Sequence, residues 1–115
     1  MNIYIAGPMT GIPHFNAEAF NDAAEFLREQ GHEVFNPVEN AIDRHGHDII
    51  EGNPGGDERI AARHGFSIRK SMFDGLQWIC TKADAIALLP EWEKSLGAQA
   101  EWTVARSIGI EFIYL

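Results

Sequence analysis

Apolar residues along the chain form short runs and longer helical stripes in alternation. Residues 3–6 are apolar on both faces and stop at Gly7-Pro8, which predicts a short buried strand. Residues 8–14, with Pro8, Thr10, Gly11 and Pro13, read as a loop. Phe20, Ala23, Ala24 and Leu27 then share one helical stripe, while Glu18, Asp22, Glu25 and Glu29 tend to the other side. Asn16 is the expected N-cap of this helix, Phe15 the residue that staples against Phe20, and Gly31 the left-handed stop. Residues 33–35 predict a second short strand, ended by Asn36-Pro37.

The pattern fails over residues 38–66, which carry Gly46, Gly52, Pro54, Gly55, Gly56 and Gly65 among charges and histidines. A short helix fits 38–45, and the rest reads as an insertion over a ligand site, because irregular stretches of this length are usually functional or disordered. Periodicity then returns. Ile68, Met72, Leu76 and Ile79 mark one face of a helix over 67–81. A third strand over 83–89, a loop over 90–96, a helix over 97–107 closed by Gly109, and a last strand over 110–115 complete the chain.

This order, β-α-β-insert-α-β-α-β, predicts a single-domain α/β fold of three layers, flavodoxin- or Rossmann-like, with a parallel sheet between helices. Ligands in such sheets bind beyond the carboxyl ends of the strands, which here are residues 7–11, 36–40 and 90–97.

Composition narrows the function. A length of 115 residues fits one domain, and 45% hydrophobic residues can form a core, though a thin one that a partner subunit would help. A formal charge of −8 argues against wrapping a nucleic-acid polymer or binding an anionic membrane. Cys80 is the only cysteine, so no internal disulfide or cysteine metal cluster can form, and it is expected to be buried and inert. The opening residues do not resemble a signal peptide, and no run approaches the roughly 20 apolar residues that cross a bilayer. The expectation is a cytoplasmic protein without metal or cofactor. His45 and His47 are close in sequence but stand in no metal-binding pattern, and Trp78 and Trp102 read as packing.

Three segments could carry chemistry. The loop Gly7-Pro8-Met9-Thr10-Gly11 would let a ligand approach the backbone, although a Gly-Pro after a strand is most simply a turn; it is neither a dinucleotide fingerprint nor a Walker loop. Ser95 to Glu101 leaves a strand and enters a helix, with Ser95 as N-cap and Glu101 one turn in, where the helix dipole favours a carboxylate. Ala98, Ala100, Val104 and Ala105 around it look packed, which sets Glu101 apart from a solvated surface glutamate. Asp74 lies on the helix before the third strand and could equally face water, while Asp84 reads as part of a helix-to-strand turn.

The opening residues 3–8 and the segment Ser95-Leu96-Gly97-Ala98-Gln99-Ala100-Glu101 resemble the nucleoside 2-deoxyribosyltransferases and the related deoxynucleoside 5′-monophosphate N-glycosidases. The Ala-Gly-Pro-Met-Thr-Gly start and Leu-Pro-x-Trp-x-x-Ser-x-Gly-Ala segment resemble an uncharacterised phage and bacterial branch of that family over nearly the whole chain. The resemblance implies cleavage or exchange of an N-glycosidic bond, with Glu101 attacking the anomeric carbon, Tyr4 beside it, and Asp74 orienting the sugar or protonating the base. It implies that Ser95, Gly97 and residues Gly7, Pro8, Met9, Thr10 and Gly11 bind the 5′ end, with Trp92 stacking on the base or closing the loop. It also implies a small-molecule nucleoside or nucleotide as ligand and a homodimer or larger homo-oligomer. The sequence departs from the family at Thr10, where the glycosidases carry arginine, and Arg44, Arg59 or Arg63 could supply that charge. Asp74 also sits about two residues further from its strand than the family's aspartate, roughly 200° of helix rotation. The alternative function is a protein that binds a nucleotide or nucleoside without turnover; a structural interaction module is a third.

Overall fold

The computed structural model describes residues 1–46, 50, 54–63 and 65–115. Four strands, β1 (Asn2–Ala6), β2 (Glu33–Phe35), β3 (Ala85–Leu88) and β4 (Glu111–Tyr114), form an all-parallel sheet in the order β2-β1-β3-β4. The described helices are α1 (Ala17–Glu29), α2 (Pro37–His45), α3 (Glu58–Arg63), α4 (Ile68–Thr81) and α5 (Leu96–Ile108). Alternation along the strands separates two cores. Ile3, Ile5, Ala85 and Ala87 pack with Phe20, Ala24 and Leu27 of α1. Tyr4, Ala6, Ile86 and Leu88 pack on the other face with Ile79 of α4 and Ala98 and Ala105 of α5. The expected α/β class and three layers are therefore present. β1 and β3 are adjacent in the sheet, and the strand order reverses between them, which is where such folds open a crevice.

Several local expectations are corrected. Asn16 does not cap α1: it takes a left-handed conformation (φ 62°), makes no cap hydrogen bond, and donates from Nδ2 to the Pro8 carbonyl at 3.0 Å. The apolar stripe of α4 is shifted. Ile68 is 55% exposed, and the buried positions are Gly75 and Ile79. Cys80 is exposed rather than buried. The stretch 38–66 is more regular than its composition suggests. Besides the expected helix, α2, which Asn36 caps and Pro37 opens, it holds α3. Residues 47–49, 51–53 and 64, which include His47, Gly52 and His64, lie outside the described residues.

Asn36 fixes where β2 gives way to α2. It is 3% exposed, its Oδ1 accepts from the Val38 amide at 2.9 Å, and its Nδ2 donates to Asn21 Oδ1 at 2.9 Å. Asn36→Ala should cost about 1–2 kcal/mol through the lost cap. A lower urea midpoint at unchanged slope would report it; an unaltered midpoint would show that the cap contributes nothing.

Candidate active site

Three elements converge at one point. Tyr4 of β1 is buried, its ring stacked on Phe35 with centroids 5.0 Å apart and tilted against Trp78 at 6.5 Å. Its hydroxyl donates to Oε2 of Glu101, which α5 carries in its second turn. The third element is α4, through Gly75. A Cβ at that position would lie 2.6 Å from the Tyr4 hydroxyl oxygen and 3.3 Å from Glu101 Oε2. Only a residue without a side chain fits there. Sequence reasoning missed Gly75, although a glycine inside an otherwise regular helix is a signal of close approach.

The surroundings set the proton affinity of the pair. Burial pushes the Glu101 carboxyl up to about 7, and the hydrogen bond from Tyr4 only partly opposes it. Glu101 as a residue keeps some solvent contact, so its carboxyl is enclosed but stands near the surface. Burial first, and then the charge and hydrogen bond of Glu101, raise the Tyr4 phenol well above its ordinary value. At neutral pH Tyr4 therefore stays a donor, while Glu101 divides between its acid and its carboxylate. An ionised Glu101 in this setting is poorly solvated and oriented by one hydrogen bond.

The other candidates are placed as follows. Asp74 is not at the pair. Its carboxylate takes two hydrogen bonds of 2.6 Å from Arg44 and one of 3.0 Å from Asn40 Nδ2. The Arg44 bond holds Asp74 below the usual carboxylate range. Asp74 and Arg44 line a separate hollow of about 570 Å³ between α2 and α4, together with Phe35, Asn40, Trp78 and Lys82. Neither Tyr4 nor Glu101 lines it. Asp84 accepts from the Asn2 amide at 2.8 Å, which places it at the helix-to-strand turn. Ser95 caps α5, accepting from the Ala98 amide at 3.2 Å, and Gly97 lies beside Met72 of α4. Trp92 is half-buried and stacks on Trp102 with centroids 5.6 Å apart; Trp102 in turn meets Phe112 and carries Arg106 over its ring.

The loop after β1 is built as much by packing as by its own sequence. A Cβ on Gly7 would lie 2.8 Å from the Leu89 side chain, so Gly7 permits the close pass of β1 against the end of β3. Pro8 is buried, and Met9 packs on the core. Thr10 Oγ1 donates to Glu58 at 3.1 Å, Gly11 N–H to the Gly56 carbonyl at 2.9 Å, and His14 N–H to the Pro54 carbonyl at 3.2 Å. The Gly11 amide is thus already engaged, and residues 54–58 lie along this loop. Of the loop arginines, Arg44 is paired with Asp74 and Arg59 with Asp57.

Among the described residues, no helix is long and apolar enough to cross a membrane. A protein-family model matches residues 1–114; it is described as a domain of unknown function, DUF4406. No curated protein and no solved structure matches the chain.

Proposed function

The chain belongs to the DUF4406 family, whose description assigns no activity, and from that premise we propose that it cleaves or exchanges the N-glycosidic bond of a (deoxy)nucleoside or nucleoside 5′-monophosphate. The observation that carries this reading is the enclosed Glu101 carboxyl, held by the buried Tyr4 hydroxyl against Gly75. The resemblance of residues 3–8 and 95–101 to the nucleoside 2-deoxyribosyltransferases supplies the substrate class.

In this mechanism an Oε atom of ionised Glu101 forms a bond to the anomeric carbon as the carbon–nitrogen bond to the base breaks. The electron pair leaves with the base, which takes a proton from water. Tyr4 keeps its proton and orients the carboxylate. Water then attacks the glycosyl ester, returning Glu101 and the free sugar; a second base attacking instead gives exchange. Asp74 is assigned no step here, since its oxygens already accept from Arg44 and Asn40.

The test is release of free base from a panel of deoxynucleosides and their 5′-monophosphates. Release by wild type with none from Glu101→Gln supports the reading; equal release by both proteins refutes it. The engaged Asp74 favours a second reading, a binder without turnover, because no other acid is assigned to the leaving base. Ligand binding with no base release from any member of the panel would select that reading.

Tyr4→Phe separates orientation from packing. The hydrogen bond from Tyr4 lowers the Glu101 pKa, so its loss should raise it further. The acid limb of the kcat/KM profile should then move to higher pH. A limb at the wild-type position would mean that another group sets it.

A further inference from the structure

Just before α1 the backbone runs left-handed. His14, Phe15 and Asn16 are consecutive residues with φ of 52°, 53° and 62°, and none of them is glycine. Asparagine and histidine visit that region; for a bulky aromatic it is a genuine outlier. Each such residue carries backbone strain that its surroundings must offset. Pro13, by contrast, suits the first position of a right-handed helix, and residues 13–16 lead straight into Ala17, where α1 begins.

Phe15 offsets the strain. It is 3% exposed, lies in the core that contains Phe20 and Leu27, and meets Phe66 with ring centroids 6.3 Å apart. A right-handed continuation of α1 would undo this. Phe15, five residues before Phe20, would then point about 140° away from it, off the face that packs on the core. The bend therefore gives up a turn of helix for the burial of one aromatic ring. The same bend delivers the loop after β1 to residues 54–58, through the His14, Gly11 and Thr10 hydrogen bonds to Pro54, Gly56 and Glu58. Gly56 passes so close that a Cβ there would lie 2.2 Å from the Ile12 carbonyl oxygen.

We propose that this turn is a two-state switch pinned by Phe15. In the pinned state α1 begins at Ala17 and the loop lies on residues 54–58. In the released state residues 13–16 are right-handed, α1 begins at Pro13, and the loop leaves residues 54–58, which opens the crevice on its β1 side. Access to the carboxyl end of β1 is then set by whether Phe15 is seated against Phe66, whatever chemistry takes place there.

Amide hydrogen exchange on the whole chain tests the switch without reference to any activity. Phe15→Ala removes the pin. Exchange should speed up about tenfold or more at Gly11 and His14, which lose their partners, and slow by a similar factor at Glu18 and Ala19, which gain the carbonyls of residues 14 and 15. A simple cavity would speed exchange at all four positions and slow it at none, and that result overturns the switch. Gly56→Ala weakens the pinned state from the loop side and should give the same two-signed pattern. If Phe15→Ala does not fold, Gly56→Ala decides by the same criterion. His14 is exposed, and adding His14→Gly to either variant should reverse both changes, because glycine accepts the left-handed turn and disfavours the helix. Protection at Glu18 and Ala19 that His14→Gly leaves untouched also overturns the switch.

Discussion

Glu101→Gln is expected to slow base release by roughly three orders of magnitude or more while ligand binding persists. The amide keeps the size of the side chain and can still accept from Tyr4, so the loss would be chemical and not steric. The same variant should change stability with a defined sign. Burial pushes the folded carboxyl up to about 7, against about 4.5 for a free glutamate. The folded state therefore keeps a proton that the unfolded chain gives up. Stability is complete below the lower value, falls as pH rises between the two, and is flat above the upper one, a loss on the order of 3 kcal/mol. Glutamine has no such dependence. Thermal midpoints of the two proteins between about pH 4 and 9 should diverge in favour of Glu101→Gln as pH rises. Parallel curves would mean that the carboxyl is not enclosed as described.

Gly75→Ala should damage both stability and turnover. Alanine alone would gain about 1 kcal/mol in a helix. At this position its Cβ would meet the Tyr4 hydroxyl oxygen at 2.6 Å. Tyr4 cannot easily retreat, because its ring lies against Phe35 and Trp78. The net result should be a destabilisation of about 1–3 kcal/mol. Turnover should fall about a hundredfold through misplacement of Glu101. Urea unfolding and base-release rates measure the two effects. A more stable protein with full turnover would show that the pair tolerates displacement.

The elements that sequence periodicity located are those whose side chains report burial directly. The β1 run, the Phe20–Leu27 stripe, and the Ser95 and Gly109 ends of α5 are all where residue type and spacing place them. The misreadings arose where tertiary packing overrode local pattern. Ile68 looks like part of a buried face, yet α4 turns its smallest residue inward because Tyr4 and Glu101 fill the space beneath it. Asn16 has the right chemistry for a cap, but the chain at His14, Phe15 and Asn16 runs left-handed, and its amide bonds to Pro8 instead. At the site, Glu101 is legible from its place one turn into a helix among packed small residues, whereas Tyr4 is legible only through the resemblance of residues 3–8. Asp74 could not be placed by spacing alone, since its partners Asn40 and Arg44 lie 34 and 30 positions earlier, on another helix.

The hydrogen bonds that seat the loop after β1 bear on when the rim of the site is completed. Thr10 and Glu58 are 48 positions apart, and the Gly11–Gly56 and His14–Pro54 bonds span similar distances. Loop closure over that length carries an entropic cost before any of these bonds can form. The rim is therefore specified only in part by its own neighbours in sequence. A nascent chain that has extended only through α2 would already hold β1 and β2, yet the backbone at Thr10 to His14 would still await its counterpart. The geometry around the mouth of the crevice is borrowed from a later part of the polypeptide.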